Sequence, residues 1–239
     1  MIDLLLVRLR QYDAISADEE AAMRAAAGRS IDFKRGAIMV HADTELSVSC
    51  LMIDGFAHRF KDLEGGRRQS MEVGVPGDFL DLHSFVMKRI DHDIAALTDC
   101  RIVVFPHAGL VDLTVTQPHL ARVLWLLTLI DAAIHRQWIV SLGARNAAQR
   151  LAHLCCEMFV RLEAIGLARD MRFALPVTQE RIAEMLGMSQ VHVNRTLMQL
   201  RAQGVMTARS GIIEIEDWAR LSALAEFDPR YLRLERRPR

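Results

Sequence analysis

Cysteine is scarce in this chain of 239 residues and is never spaced to hold a metal ion. Cys50, Cys100, Cys155 and Cys156 are the only ones, and none forms a CxxC pair. Cys155 and Cys156 are adjacent on a helical pattern, which suits buried thiols better than a disulfide or cluster framework. The chain has no nucleotide-binding glycine loop, no HExxH and no convincing set of nucleophile, base and acid. Ser84 beside His83 is adjacency without geometry, so no catalytic residue and no metal ligand are assigned and an enzyme is not expected. Long apolar runs are missing too: none approaches the roughly 18 residues of a membrane span. The opening MIDLLLVRLR places Asp3 and Arg8 in or beside too short an apolar stretch. The expectation is a cytoplasmic protein with no membrane partner.

Net charge is absent overall but not locally. From Ala144 onward there are 15 arginines, no lysine and 11 acids, whereas the first 143 residues hold 15 basic and 19 acidic side chains. The C-terminal part is the basic one, ending RYLRLERRPR, which permits a polyanion partner without proving one. With 51% hydrophobic and 25% charged residues, the chain is long enough for one large or two modest domains, and two fit its texture better.

What is present changes texture twice. Residues 4–30 have helical spacing, with Ser16-Ala17-Asp18-Glu19 resembling a cap. From Ile31 to about Pro106, short apolar runs alternate with turns at Lys34-Arg35-Gly36, Asp54-Gly55, Glu64-Gly65-Gly66 and Pro76-Gly77-Asp78, which predicts a small antiparallel barrel or roll. From Pro118, Leu120, Leu124, Leu127, Ile130 or Asp131, Ile134 and Trp138 recur at threes and fours, resembling a coiled-coil seam for self-association. Asp131 interrupts a strict heptad. Ser141-Leu142-Gly143 breaks the pattern and is the expected hinge, before another amphipathic helix from Ala144 to Ile165.

The stretch Thr178 to Leu200, TQERIAEMLGMSQVHVNRTLMQL, reads as two short helices joined at Gly187. Thr178 and Ser189 are N-caps; Ile182, Met185 and Leu186 face inward from the first helix, and Val193, Leu197 and Leu200 from the second. That leaves Gln190, Val191, His192, Asn194 and Arg195 mostly outward. Small Ala183, turn Gly187 and apolar Val193 are what a helix-turn-helix requires, although two ordinary core helices would share the pattern. After Gly204, Val205-Met206-Thr207 and Ile212-Ile213-Glu214-Ile215 read as a two-stranded wing, and Asp217 caps a last helix.

In this order, the roll with its Pro76-Gly77-Asp78-Phe79 turn, the long helix 118–142, the helix-turn-helix and the wing ending GIIEIED resemble the Crp-Fnr superfamily of bacterial transcription regulators. The resemblance covers nearly the whole chain, and its last two elements are the specific ones. It implies an α+β fold with an N-terminal antiparallel β-roll or jelly-roll sensor domain (1–117), a long dimerisation helix and hinge (118–143) and a C-terminal winged helix-turn-helix (144–239). It also implies a homodimer on an inverted-repeat operator in double-stranded DNA, acting on RNA polymerase.

The residues support DNA chemistry independently. A guanidinium bridges guanine O6 and N7 and a carboxamide bridges adenine N6 and N7, capacities that Arg195 and Asn194 have. Within the family pattern, Gln190, Val191, Asn194 and Arg195 are the outward residues. Val191 stands where many relatives carry a glutamate, so the familiar half-sites are not implied. His192 is a further DNA candidate, with a solvated surface histidine as the alternative, and for Arg195 the alternative is an ion pair with Glu184 or a neighbour. Thr178, Gln179, Ser189 and wing Arg209 are candidates for phosphate contacts.

For the roll, the resemblance argues against each known cofactor. Asp81-Leu82 stands where cyclic-nucleotide relatives have Gly-Glu, and Arg89-Ile90-Asp91-His92 covers their Arg-Ser, where Asp91 would repel a phosphate. The absence of any cysteine before Cys50 argues against an iron-sulfur cluster. His83 falls on the haem-ligand histidine of the carbon-monoxide sensors, but Asp81 replaces their cysteine and Met1-Ile2 their N-terminal proline, which argues against haem. Asp81, His83, Ser84, Arg89 and His92 remain as candidates to line a pocket for an unknown small-molecule effector. The rival reading is a signalling module whose roll binds a small ligand and whose C-terminal domain binds protein.

Overall fold

The computed structural model describes residues 1–238. They divide into two compact units, one of residues 1–61, 72–132 and 233 onward, the other of residues 62–71 and 133–232.

The first unit opens with helices α1 (Asp3–Tyr12) and α2 (Ala17–Ala26). The capping box expected at Ser16 is formed: its hydroxyl accepts from the Glu19 N–H at 3.2 Å, and the Glu19 carboxylate accepts from the Ser16 N–H at 2.8 Å. Strands β1 (Ser30–Phe33), β2 (Ile38–Val40), β3 (Val48–Asp54), β4 (Ala57–Leu63) and β5 (Arg67–Gly74) follow. The short helix α3 (Ser84–Met87), β6 (Asp93–Ala96), β7 (Cys100–Pro106) and α4 (His107–Thr116) complete the roll. The strands form two sheets, ordered β1-β7-β3 and β2-β6-β4-β5, with β7 antiparallel to both neighbours and β6 antiparallel to both of its own.

Side chains alternate between the faces of a strand, and this sheet uses both faces. On β3 and β7, Cys50, Met52, Ile102 and Val104 join Val40, Ala57 and Ile94 between the sheets. Leu51, Val103 and Phe105 turn the other way, onto Leu5, Leu9, Met23 and Leu110 of the helices. The next helix, α5 (Pro118–Ala144), inserts Leu120, Val123 and Leu124 into that second cluster. His119, at its start, lies 3.0 Å from Asp13 and 2.5 Å from Glu19, and these two carboxylates raise its pKa.

Three expectations about α5 are corrected. The helix runs unbroken through Ser141-Leu142-Gly143 to Ala144; the interruption comes at Arg145-Asn146, where Asn146 makes a capping box with Gln149. One glycine in a helix interior costs only about 1 kcal/mol, less than a break would. Of the stripe expected to pair with another copy, Leu120, Leu124, Ile130, Ile134 and Trp138 are instead buried within the chain and Leu127 is half-buried. By length and composition alone α5 is long and apolar enough to cross a membrane, contrary to the expectation that no segment is. Its most apolar face is core, and Arg122, Asp131 and Arg136 interrupt the rest.

The second unit is built on α6 (Ala147–Glu163), whose Glu157 is fully buried. That carboxylate accepts from Trp138 Nε1 at 3.3 Å, Arg161 Nη1 at 3.1 Å and the Tyr231 hydroxyl at 2.8 Å, as a buried charge requires. Strands β8 (Ala168–Arg169) and β9 (Arg172–Ala174), helices α7 (Gln179–Leu186) and α8 (Gln190–Ala202), strands β10 (Met206–Arg209) and β11 (Ile212–Ile215) and helix α9 (Trp218–Ala225) follow. The sheet order is β10-β11-β9-β8. All four cysteines are free and buried, and burial pushes the Cys100 and Cys155 thiols up to about 12, so they are inert near neutrality.

Candidate nucleic-acid interface

Local sequence signals set this interface. Thr178 Oγ1 accepts from the Arg181 N–H at 3.3 Å and starts α7; Gly187, at φ 61°, ends it with its N–H on the Ala183 carbonyl. Met188 N–H reaches the same carbonyl at 3.1 Å, and Ser189 Oγ then accepts from the His192 N–H at 3.2 Å to start α8. Only three residues therefore separate the helices. Ile182, Ala183, Met185 and Leu186 are buried on α7, and Val193, Thr196 and Leu200 on α8. Leu197, expected inside, is half-buried, because at 3.6 residues per turn Thr196 and Leu200 continue the row from Val193. Thr196 satisfies its buried hydroxyl on the His192 carbonyl at 2.8 Å.

The outward row is as expected, with one addition. Gln190, Val191, Asn194 and Arg195 are exposed and His192 is half-buried. Met198, two turns beyond Val191 and 66% exposed, extends the row; its spacing from Val191 was the signal that could have found it. Asn194 Nδ2 donates to Gln179 Oε1 at 3.2 Å, so the first residue of α7 bears on the outward face of α8. Glu184 is taken by Arg181 at 2.7 Å, which removes it as the alternative partner of Arg195. Arg195 has no ion pair among the described residues. Exposed Arg209 closes β10 beside a two-residue turn, Ser210 at φ 51° and Gly211 at φ 77°, the turn type that matches strand twist. A Cβ on Gly211 would meet Pro176 at 3.0 Å, so the wing lies tightly against the segment leading into α7.

In the other unit, the effector candidates differ in exposure. Asp81 is fully buried: Oδ1 accepts from the Cys50 N–H at 2.5 Å and Oδ2 has no hydrogen-bond partner among the described residues. Ser84 is also buried, 3.4 Å from both Ser49 Oγ and His107 Nε2. The His83 and His92 rings lie 5.6 Å apart, and His92 Nδ1 is 3.1 Å from Asp91. Arg89 is exposed and turned to the Asp43 carbonyl and Glu45. Sequence reasoning missed the nearby buried network. Arg59 donates to Glu72 at 2.6 Å, to Asp131 at 2.6 Å, to the Leu80 carbonyl at 2.7 Å and to the Phe79 carbonyl at 3.3 Å. Charged residues at inward positions of apolar elements were its only signal.

Burial pushes the Asp81 carboxyl up to about 7, against the Cys50 N–H and the Arg59 charge, which pull it down. With the folded pKa above the unfolded 3.8, the favourable state is fully present below pH 3.8. It is lost as pH rises toward 7. Asp81→Asn should therefore raise the melting temperature at pH 8 and do so much less at pH 4.5. Equal gains at both would show that the carboxyl is not held neutral.

Comparisons with known proteins agree on the family. The model described as Crp-like helix-turn-helix domain matches residues 149–224, and that described as cyclic nucleotide-binding domain matches 30–117. The nitrogen fixation regulation protein FixK of Bradyrhizobium diazoefficiens is 30% identical over 200 residues, covering 83% of this chain and 82% of its own. The chain belongs to the Crp-Fnr family. The transcriptional activator protein FnrL of Cereibacter sphaeroides is 25% identical over 193 residues, covering 79% of this Crp-Fnr regulator and 77% of its own length. Among solved structures, FixK2 from Bradyrhizobium japonicum superposes with TM-score 0.75 at 24% identity, covering 83% of this chain and 96% of that one. A CooA variant from Carboxydothermus hydrogenoformans does so with TM-score 0.64 at 18% identity, covering 85% and 89%. The chain is thus a DNA-binding transcription regulator whose relatives are regulators rather than enzymes.

Proposed function

We propose that this Crp-Fnr regulator binds an inverted-repeat operator as a homodimer in the cytoplasm and acts on RNA polymerase, under control of an effector sensed by residues 1–117. Residues 144–239 read DNA. Arg195 and Asn194 contact base edges together with Gln190, Val191 and His192, while Thr178, Gln179, Ser189 and Arg209 position the backbone. The observation that carries this reading is the outward row of α8, capped by Ser189 and holding an arginine with no ion pair among the described residues. A buried or paired arginine would have argued for a structural role instead.

The pairing surface we propose is the exposed stripe of α5. Arg122, Trp125, Leu129, Ala132, Arg136 and Ile139 recur at threes and fours, and Trp125, Leu129 and Ile139 are 66, 52 and 68% exposed. So much bare apolar surface on one helix calls for a partner.

Arg195→Ala should weaken binding to an operator selected from random DNA by about tenfold or more, since a bidentate guanine contact is worth ~1–3 kcal/mol. Its far-UV circular dichroism should match the wild type. Undiminished affinity would remove Arg195 from the interface. Raising salt should weaken the wild type steeply, because several phosphate contacts release counterions.

A further inference from the structure

We propose that Val191 reads the methyl group of a thymine in each half-site, and that Gln179 is a positioning residue that sets Asn194 to bridge an adenine one or two base pairs away. This rests on the assignment of α8 as the reading helix and goes beyond it to the bases read. Val191 is 79% exposed at the second position of the helix, where a β-branched side chain brings no helix-forming advantage. Its two methyl groups have no hydrogen-bonding capacity, and the major groove offers one apolar feature, the C5 methyl of thymine. Asn194, one turn further on, is also exposed, and residues three apart on a helix lie about 5–6 Å from each other. That separation spans one to two steps of a strand with a rise of about 3.4 Å.

The bond at 3.2 Å from Asn194 Nδ2 to Gln179 Oε1 uses one of two amide hydrogens. The second hydrogen and Oδ1 remain, which is the donor and acceptor set that adenine N7 and N6 require. A carboxamide on an exposed helix face would otherwise rotate among several orientations, and its restraint before binding lowers the ordering cost. Gln179 keeps its own Nε2 for a phosphate, so its part in positioning Asn194 leaves its candidate backbone contact intact.

The test begins with selection of an operator from random DNA by the full-length wild type. Each thymine of the selected half-site is then replaced by deoxyuridine, which removes only the methyl, and each adenine by 7-deazaadenine, which removes only N7. One deoxyuridine position should weaken wild-type binding about fourfold per half-site, the worth of one buried methyl group. Val191→Ala should bind that site and its deoxyuridine form alike, and reselection with Val191→Glu should place cytosine there, because a carboxylate accepts from N4. One 7-deazaadenine position should weaken the wild type, and Gln179→Ala should lose most of that discrimination, whereas Gln179→Glu, which keeps the acceptor oxygen, should retain it. A selected site indifferent to deoxyuridine at every thymine overturns the role of Val191. Unchanged 7-deazaadenine discrimination in Gln179→Ala overturns that of Gln179. If no sequence is enriched at all, the reading-helix assignment itself fails and takes the inference with it.

Discussion

Leu129→Asp should give a folded monomer that has all but lost its operator. In a dimer, the second half-site is engaged at the effective concentration set by the first, a gain of about 10²–10⁴ in avidity that a monomer forfeits. Leu129 is 52% exposed on α5 and absent from the core cluster, so a charge there costs the single chain little. Five residues earlier on the opposite face, Leu124 is 6% exposed within that cluster, and Leu124→Asp should instead unfold the protein by burying an unpaired charge. Sedimentation equilibrium and thermal melting separate the two results. Arg136 lies on the same stripe as Leu129, and in a parallel pair it would face its counterpart, so Arg136→Leu should tighten the dimer. A Leu129→Asp protein that remains dimeric would move the pairing surface off this stripe.

The contrast between Leu129 and Leu124 shows where sequence reasoning reached its limit. Helix starts were legible because caps act within four residues: Ser16, Thr178, Ser189 and Asp217 each accept the N–H three residues on. Hairpin turns were legible for the same reason. The apolar stripe of α5 was legible as a stripe, but periodicity cannot say what covers it. Leu120, Leu124, Ile134 and Trp138 form the stronger stripe and are buried inside the chain, while the exposed one is diluted by Arg122, Ala132 and Arg136. Strands β8 and β9 escaped notice because they hold two and three residues around Asp170 and Met171, both in the left-handed region without a glycine to mark the turn. At the interface, the outward residues could be read from helical spacing, whereas the Asn194 bond to Gln179 joins side chains 15 positions apart and could not. Asp131 looked like a flaw in a heptad because its partner, Arg59, lies 72 positions away.

That partner is the basis of the second large effect. Arg59→Met should destabilise the first unit by about 3–5 kcal/mol, the range for removing one member of a buried ion pair. Glu72, its side chain 4% exposed, would be left as a buried charge, and the Leu80 and Phe79 carbonyls would lose their donor. Asp131 is 23% exposed and can take up water, so Asp131→Asn should cost far less than Arg59→Met. Removing both buried charges, as Arg59→Met with Glu72→Met, should restore most of the loss, because the penalty comes from keeping the Glu72 charge buried without the arginine rather than from a missing attraction. Denaturant unfolding of the two single variants and the double variant closes this cycle. Arg59 also ties the carbonyls that follow the Pro76-Gly77-Asp78 turn to a residue of α5. A double variant as unstable as Arg59→Met would mean that the arginine holds the roll through those carbonyls. Recovery would assign its role to charge balance at Glu72.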